Sequence, residues 1–204
     1  MRRAGAILLI VGLLAAWQAR AAVQVDAQKA DDALRAFEAD LESHDSATAV
    51  LQDWCDAHGH GEKIVARQVK GVDKPPTALA APALRLEPGQ KPRYRRVDLM
   101  CGDKVLSRAD NWYLLSKLTP AMNEALDLTQ TPFGVVVKPL RFTRRNLETA
   151  FLFQGGDPGA KTVTLPADVL QHSALLYTGE GEPFSFVVET YTDQVLSFTA
   201  ADRP

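Results

Sequence analysis

Only two cysteines, Cys55 and Cys101, occur in the 204 residues, which excludes a disulfide-dense scaffold. There is no C-x-x-C pair and no cluster of histidines, so nothing argues for a metal centre. A phosphate cradle is also missing: the glycine-rich stretch Gly155-Gly156-Asp157-Pro158-Gly159 is not followed by a Lys-Ser/Thr pair opening a helix and reads as a turn. No nucleophile elbow occurs either. Positive charge is not in excess, with 23 Lys+Arg against 25 Asp+Glu, and this argues against a nucleic-acid partner. The uncharged run from Ala4 to Trp17 falls short of the roughly 20 apolar residues that a membrane-spanning helix needs.

That run has a use. It follows Arg2 and Arg3 and precedes Gln18-Ala19-Arg20-Ala21, the basic, apolar and small-residue order of a secretory signal peptide. Residues 1–21 are therefore expected to be a signal peptide cleaved after Ala21, and residues 22–204 a single domain, periplasmic or secreted. Removing three arginines makes the formal charge −5, because 20 basic residues then face 25 acidic ones. Export would put Cys55 and Cys101 in an oxidising compartment, where they either pair or stay as two small buried thiols.

Within 26–43, Leu34, Phe37 and Leu41 recur at helical spacing among charges. Asp45-Ser46 offers an N-cap to a second helix bearing Val50, Leu51 and Trp54, so N-terminal helices should occupy 26–58. His58 and His60, without a third ligand, read as solvated loop. A first strand is expected at 64–69. Residues 71–92 carry five prolines and read as a linker, with a short strand at 84–86. Thr119-Pro120 and Thr131-Pro132 each begin a helix, the threonine as N-cap and the proline in the first turn, with Met122, Ala125, Leu126 and Leu128 on the buried side of the first. Residues 142–153 read as a strand with Arg141, Arg144 and Arg145 at its entry, facing either a pocket or solvent.

The densest strand signal is 93–113, a hairpin turning at Gly102-Asp103. Val97, Leu99 and Cys101 alternate with Arg96, Asp98 and Met100, which gives one apolar face. Its second strand ends in Ala109-Asp110-Asn111-Trp112-Tyr113, unusual chemistry that suits either an edge strand with a solvated end or a site. A second hairpin turns at 179–181. There Phe184, Phe186 and Val188 alternate with Ser185, Val187, Glu189 and Tyr191, and a carboxylate in so apolar a strand must be paired, protonated or functional. The residues together describe an α+β domain with arginines and one carboxylate suited to an organic anion.

The order RVDLMCGDKVLS, LTP, TPFG and GEPFSFVVET resembles the chorismate pyruvate-lyase family and its chorismate-lyase-like superfamily, from about Tyr94 to Phe198. The resemblance implies an antiparallel sheet backed by helices, a ligand buried between sheet and helical flaps, and no cofactor. It implies that Arg96 holds a ligand carboxylate, that Thr131, Phe133 and Gly134 form a helix start over the ligand, and that Glu189 meets the emerging hydroxyl. The family's second ligand arginine falls where this chain has Ala109, Asp110 and Asn111, so Arg108, Arg144 or Arg145 would replace it. On this likeness Arg96 and Glu189 should point into one cavity, and the expected activity is elimination of pyruvate from chorismate or a related cyclic carboxylate to give a 4-hydroxybenzoate-type product. The alternatives are a non-catalytic binder of small aromatic carboxylates and a structural protein with a degenerate pocket. A monomer is expected.

Overall fold

Alternating apolar residues build the sheet, and amphipathic helices cover one of its faces. The computed structural model describes residues 24–58, 61–155 and 159–196; the expected signal peptide and His60 lie outside them. The strands are β1 (Gln24–Asp26), β2 (Val65–Gln68), β3 (Arg93–Cys101), β4 (Lys104–Tyr113), β5 (Thr143–Phe151), β6 (Thr162–Thr164), β7 (Asp168–Tyr177) and β8 (Pro183–Thr192). The helices are α1 (Ala27–Glu42), α2 (Ala47–Ala57), α3 (Ala80–Ala83), α4 (Pro120–Leu128) and α5 (Phe133–Val136). Six strands form one sheet in the order β2-β3-β4-β8-β7-β5, with every neighbouring pair antiparallel, and β1 pairs with β6 separately. The fold is thus α+β with an antiparallel sheet and helices.

Caps fix where the helices start. Asp26 accepts from the Lys29 N–H at 2.9 Å, Ser46 from Ala49 at 3.3 Å and Thr119 from Met122 at 3.2 Å, each satisfying a donor that the first turn leaves free. Leu34, Phe37 and Leu41 of α1 and Val50 and Leu51 of α2 are buried against Val97, Leu99, Ala109, Val187 and Tyr191 of the sheet. Full burial of such side chains contributes about 1.5–3 kcal/mol each. Cys55 of α2 and Cys101 at the end of β3 form a disulfide, Cα to Cα 5.9 Å, so the pairing and not the free-thiol reading holds.

Several sequence expectations need correction. The 71–92 linker forms the short helix α3, where a strand at 84–86 was expected, and Ala80 and Leu84 close over Trp112, Leu175 and Phe186 on the sheet's second face. Arg85 takes a left-handed backbone (φ 53°) that breaks any strand there, and the flanking Pro82 and Pro88 suit a strap. Strand β4 is no edge: it lies between β3 and β8. Thr131 does not cap α5. Pro132 holds that position, and the Thr131 N–H donates instead to Thr129 Oγ1 at 3.1 Å. Leu128 is 75% exposed, outside the apolar stripe set by Met122 and Leu126. Phe184 leaves the alternation of β8 and joins the main core, stacking on Phe133 at 6.2 Å between ring centroids, while Phe186 faces α3.

Candidate anion pocket

The cross-strand register aligns two rows of side chains beneath the helices. One row runs Arg95, Asn111, Val187 and Ala174, and the next runs Val97, Ala109, Glu189 and His172. Where these rows meet α5 and the start of α2, an inner cavity of about 50 Å³ opens, lined by Arg95, Asn111, Phe133, Arg144, Ser185 and Glu189 among others. An outer cleft of about 860 Å³ adjoins it, bordered by α2, β2 and the segment around α5. Asp45, Ser46, Thr48, Gly134 and Phe142 border both spaces and so form the neck between them. Gly134 makes that neck: a Cβ there would lie 3.0 Å from Ser46 Oγ and 3.4 Å from Thr48 Oγ1.

The charges at the cavity are of two kinds. Arg144 Nη2 lies 2.7 Å from Glu189 Oε2, and both side chains are more than nine-tenths buried. This is a charge contact rather than an aligned hydrogen bond, since Nη2 has no hydrogen-bond partner of good geometry. Burial alone would push the Arg144 guanidinium down, but Glu189, followed by Tyr191, more than offsets that and holds it up. The Tyr191 hydroxyl donates to Glu189 Oε2 at 3.1 Å, and burial, then Glu189, raises its pKa well above the ordinary phenol range. Glu189 is thus engaged from two sides.

Arg95 is different. It is 3% exposed, and among the described residues its Nε has no hydrogen-bond partner and Nη2 reaches the Thr131 carbonyl at a long 3.5 Å. Burial pushes its guanidinium down from the ordinary value, with Tyr113 and Asp127 only partly opposing this. A buried guanidinium without a carboxylate is costly. Beside it, Ser185 Oγ donates to Asn111 Oδ1 at 2.7 Å and so fixes which way that amide points. The cavity therefore presents one guanidinium with no ion-pair partner among the described residues, one internally neutral ion pair and one oriented amide.

Arg96 does not share a cavity with Glu189, contrary to expectation. It lies on the second face, where Asp110 accepts from Arg96 at 3.4 Å, from Lys74 at 2.7 Å and from the Tyr94 hydroxyl. Asp110 is thus also turned away from the pocket. Arg108 pairs with Asp168 at 2.6 Å and borders a separate surface depression, and Arg145 is exposed. Thr131 borders the outer cleft, and Phe133, Gly134, Asn111, Arg144 and Glu189 do line the inner cavity. The missed residue is Arg95, and the signal was in the sequence: it shares the parity of Val97, Leu99 and Cys101, whereas Arg96 shares that of Asp98. Ser46 and Thr48 at the neck carried no sequence signal beyond helix capping.

This is an α+β fold with a buried cationic pocket between sheet and helices, and PhnF from Mycobacterium smegmatis shares the fold: TM-score 0.50 and 12% identity, over 73% of this chain and 64% of that one. The ligand-binding domain of a protein assigned to the GntR family of transcriptional regulators, from Bordetella bronchiseptica, superposes with TM-score 0.43 and 20% identity over 65% of this chain and 85% of that domain. No family model matches the chain. It belongs to the same family as the uncharacterized protein y4mC of Sinorhizobium fredii (strain NBRC 101917 / NGR234), being 42% identical over 181 residues that span 82% of this chain and 76% of the relative.

Proposed function

We propose that this protein is a member of the chorismate-lyase-like superfamily that binds a small organic carboxylate without transforming it. Arg95 carries the reading, because a buried guanidinium that faces a cavity and lacks an acidic partner is completed by an anion. The inner cavity, about 50 Å³, suits a carboxylate head, and the ring or chain behind it extends through the neck into the outer cleft. Asn111 and Ser185 add hydrogen bonds that orient the ligand. Lyase turnover has less support: Arg96 is on the far face, and Glu189 is already engaged by Arg144 and Tyr191. Export to the periplasm or beyond belongs to the same proposal, supported by the order of residues 1–21 and by the disulfide.

Calorimetric titration with 4-hydroxybenzoate tests the binding, with the uncharged 4-hydroxybenzamide as control. Saturable binding of the acid alone is expected, and equal binding of the amide, or none of the acid at millimolar concentration, would refute the role of Arg95. Incubation with chorismate should release no pyruvate above the uncatalysed rate; release would restore the lyase reading. N-terminal sequencing of protein from the producing cell should begin at Ala22, and full-length protein confined to the cytoplasm would overturn export.

A further inference from the structure

We propose that Glu38, Glu42 and His172 form a binding site for one divalent first-row transition-metal cation, separate from the carboxylate pocket. Glu38 and Glu42 stand four residues apart on α1 and so project from one side of the helix, towards strand β7, which contributes His172. One ligand atom from each of the three lies within 4.8 Å of the other two. Bonds of about 2.0–2.2 Å to nitrogen and oxygen place tetrahedral ligands about 3.3 Å apart, so the three must draw in by up to about 1.5 Å, a movement within the reach of two glutamate side chains with three rotatable bonds each.

The imidazole is the independent observation. His172 is fully buried, and among the described residues neither ring nitrogen has a hydrogen-bond partner. Its described polar-ring contact is the edge of Tyr191, at 5.8 Å between centroids. Buried polar side chains almost always find a partner, and a metal-bound histidine satisfies one nitrogen through the lone pair.

Charge points the same way. Arg144 and Glu189 cancel one another at 2.7 Å. Among the described residues no hydrogen bond or ion pair holds Glu38 or Glu42, so both carboxylates are available to a cation. Two carboxylates and an imidazole bound through its lone pair supply two negative charges for one dication to balance. One nitrogen and two oxygens suit zinc, manganese, cobalt or iron(II) rather than calcium or magnesium, which prefer oxygen alone. Glu42 is exposed, so the ion enters from solvent along α1, and with three protein ligands it retains water in its remaining positions.

The test uses tag-free protein freed of metal by chelator and titrated with Co2+, read by visible absorption, then with Zn2+ in competition. One equivalent of Co2+ should bind with a d–d spectrum that Zn2+ abolishes. The E38Q/E42Q double variant, altered at a half-buried and an exposed position, should fold as the parent does and bind Co2+ at least tenfold more weakly. H172Q should behave likewise. Should H172Q fail to fold, E38Q/E42Q alone decides. Absence of saturable binding in the parent, unchanged affinity in E38Q/E42Q, or loss of the spectrum on substituting His44 or His58 instead would overturn the proposal.

Discussion

Replacing Arg95 by methionine should stabilise the ligand-free protein while abolishing carboxylate binding. The guanidinium is 3% exposed, and among the described residues its Nε is unpaired and its contact with the Thr131 carbonyl is a long 3.5 Å. A buried donor without a partner costs about 1–3 kcal/mol, and exchanging buried ions for apolar side chains of similar volume is often neutral or stabilising by about 1–4 kcal/mol. Methionine keeps the length of the side chain and fills the space beside Phe133, so little cavity cost opposes this gain. A net gain of about 2 kcal/mol raises Tm by about 4–8 °C for a domain of this size. The assay is thermal unfolding with and without 4-hydroxybenzoate: the parent should gain Tm with the ligand, and Arg95→Met should start higher and gain nothing. Destabilisation of Arg95→Met by more than about 1 kcal/mol would mean that the guanidinium is already paired within the protein, and a preserved ligand shift would place the anion elsewhere; either refutes the reasoning.

Three further outcomes follow from other contacts. Glu189→Gln leaves Arg144 buried without its counter-charge and should cost about 3–5 kcal/mol in denaturant unfolding, most of it recovered in the double variant with Arg144→Met; a loss under about 1 kcal/mol would mean the pair is open to water. Reducing the Cys55–Cys101 bond, which closes a 46-residue separation, should cost about 4 kcal/mol in the chain-entropy model, and thiol titration of unreduced protein should find no free cysteine. Gly134→Ala gains about 0.5–1 kcal/mol of helix propensity against a comparable steric cost at Ser46, so stability should hardly change while the narrowed neck weakens 4-hydroxybenzoate binding several-fold.

The strands and helices were largely legible because their signals are local. Alternation marked both hairpins, and Ser46 and Thr119 announced their helices by capping chemistry that needs only the next three residues. Strand β1 was not legible. Its three residues pair with β6 more than a hundred positions away, and nothing within Gln24–Asp26 signals that partner. The 71–92 strap was missed for a similar reason: its prolines argue against long regular structure but do not say that Ala80 and Leu84 find a home over Trp112. Leu128 misled because apolar spacing says which side a residue takes and not whether the helix end still touches the core.

The arginine that lines the cavity is one residue from the one expected, and the difference shows how local and distant signals rank. Alternation through Val97, Leu99 and Cys101 assigns Arg95 to the helix-covered face, whereas spacing borrowed from a resemblance selected Arg96. In a strand that difference inverts everything, since adjacent side chains leave on opposite faces. Arg96 accordingly joins Tyr94, Lys74 and Asp110 in a network under the strap, and Arg95 is left to face the cavity. The partner of Glu189 lay beyond any such argument. Arg144 is on β5, two strands away across β7, and only the folded order β8-β7-β5 brings its side chain to 2.7 Å. His172 is the sharper case. Its place opposite Glu189 in the sheet register, beneath Glu38 and Glu42 of α1, joins residues separated by some 130 positions, so its lone imidazole acquires chemical meaning only once the helix layer is laid on the sheet.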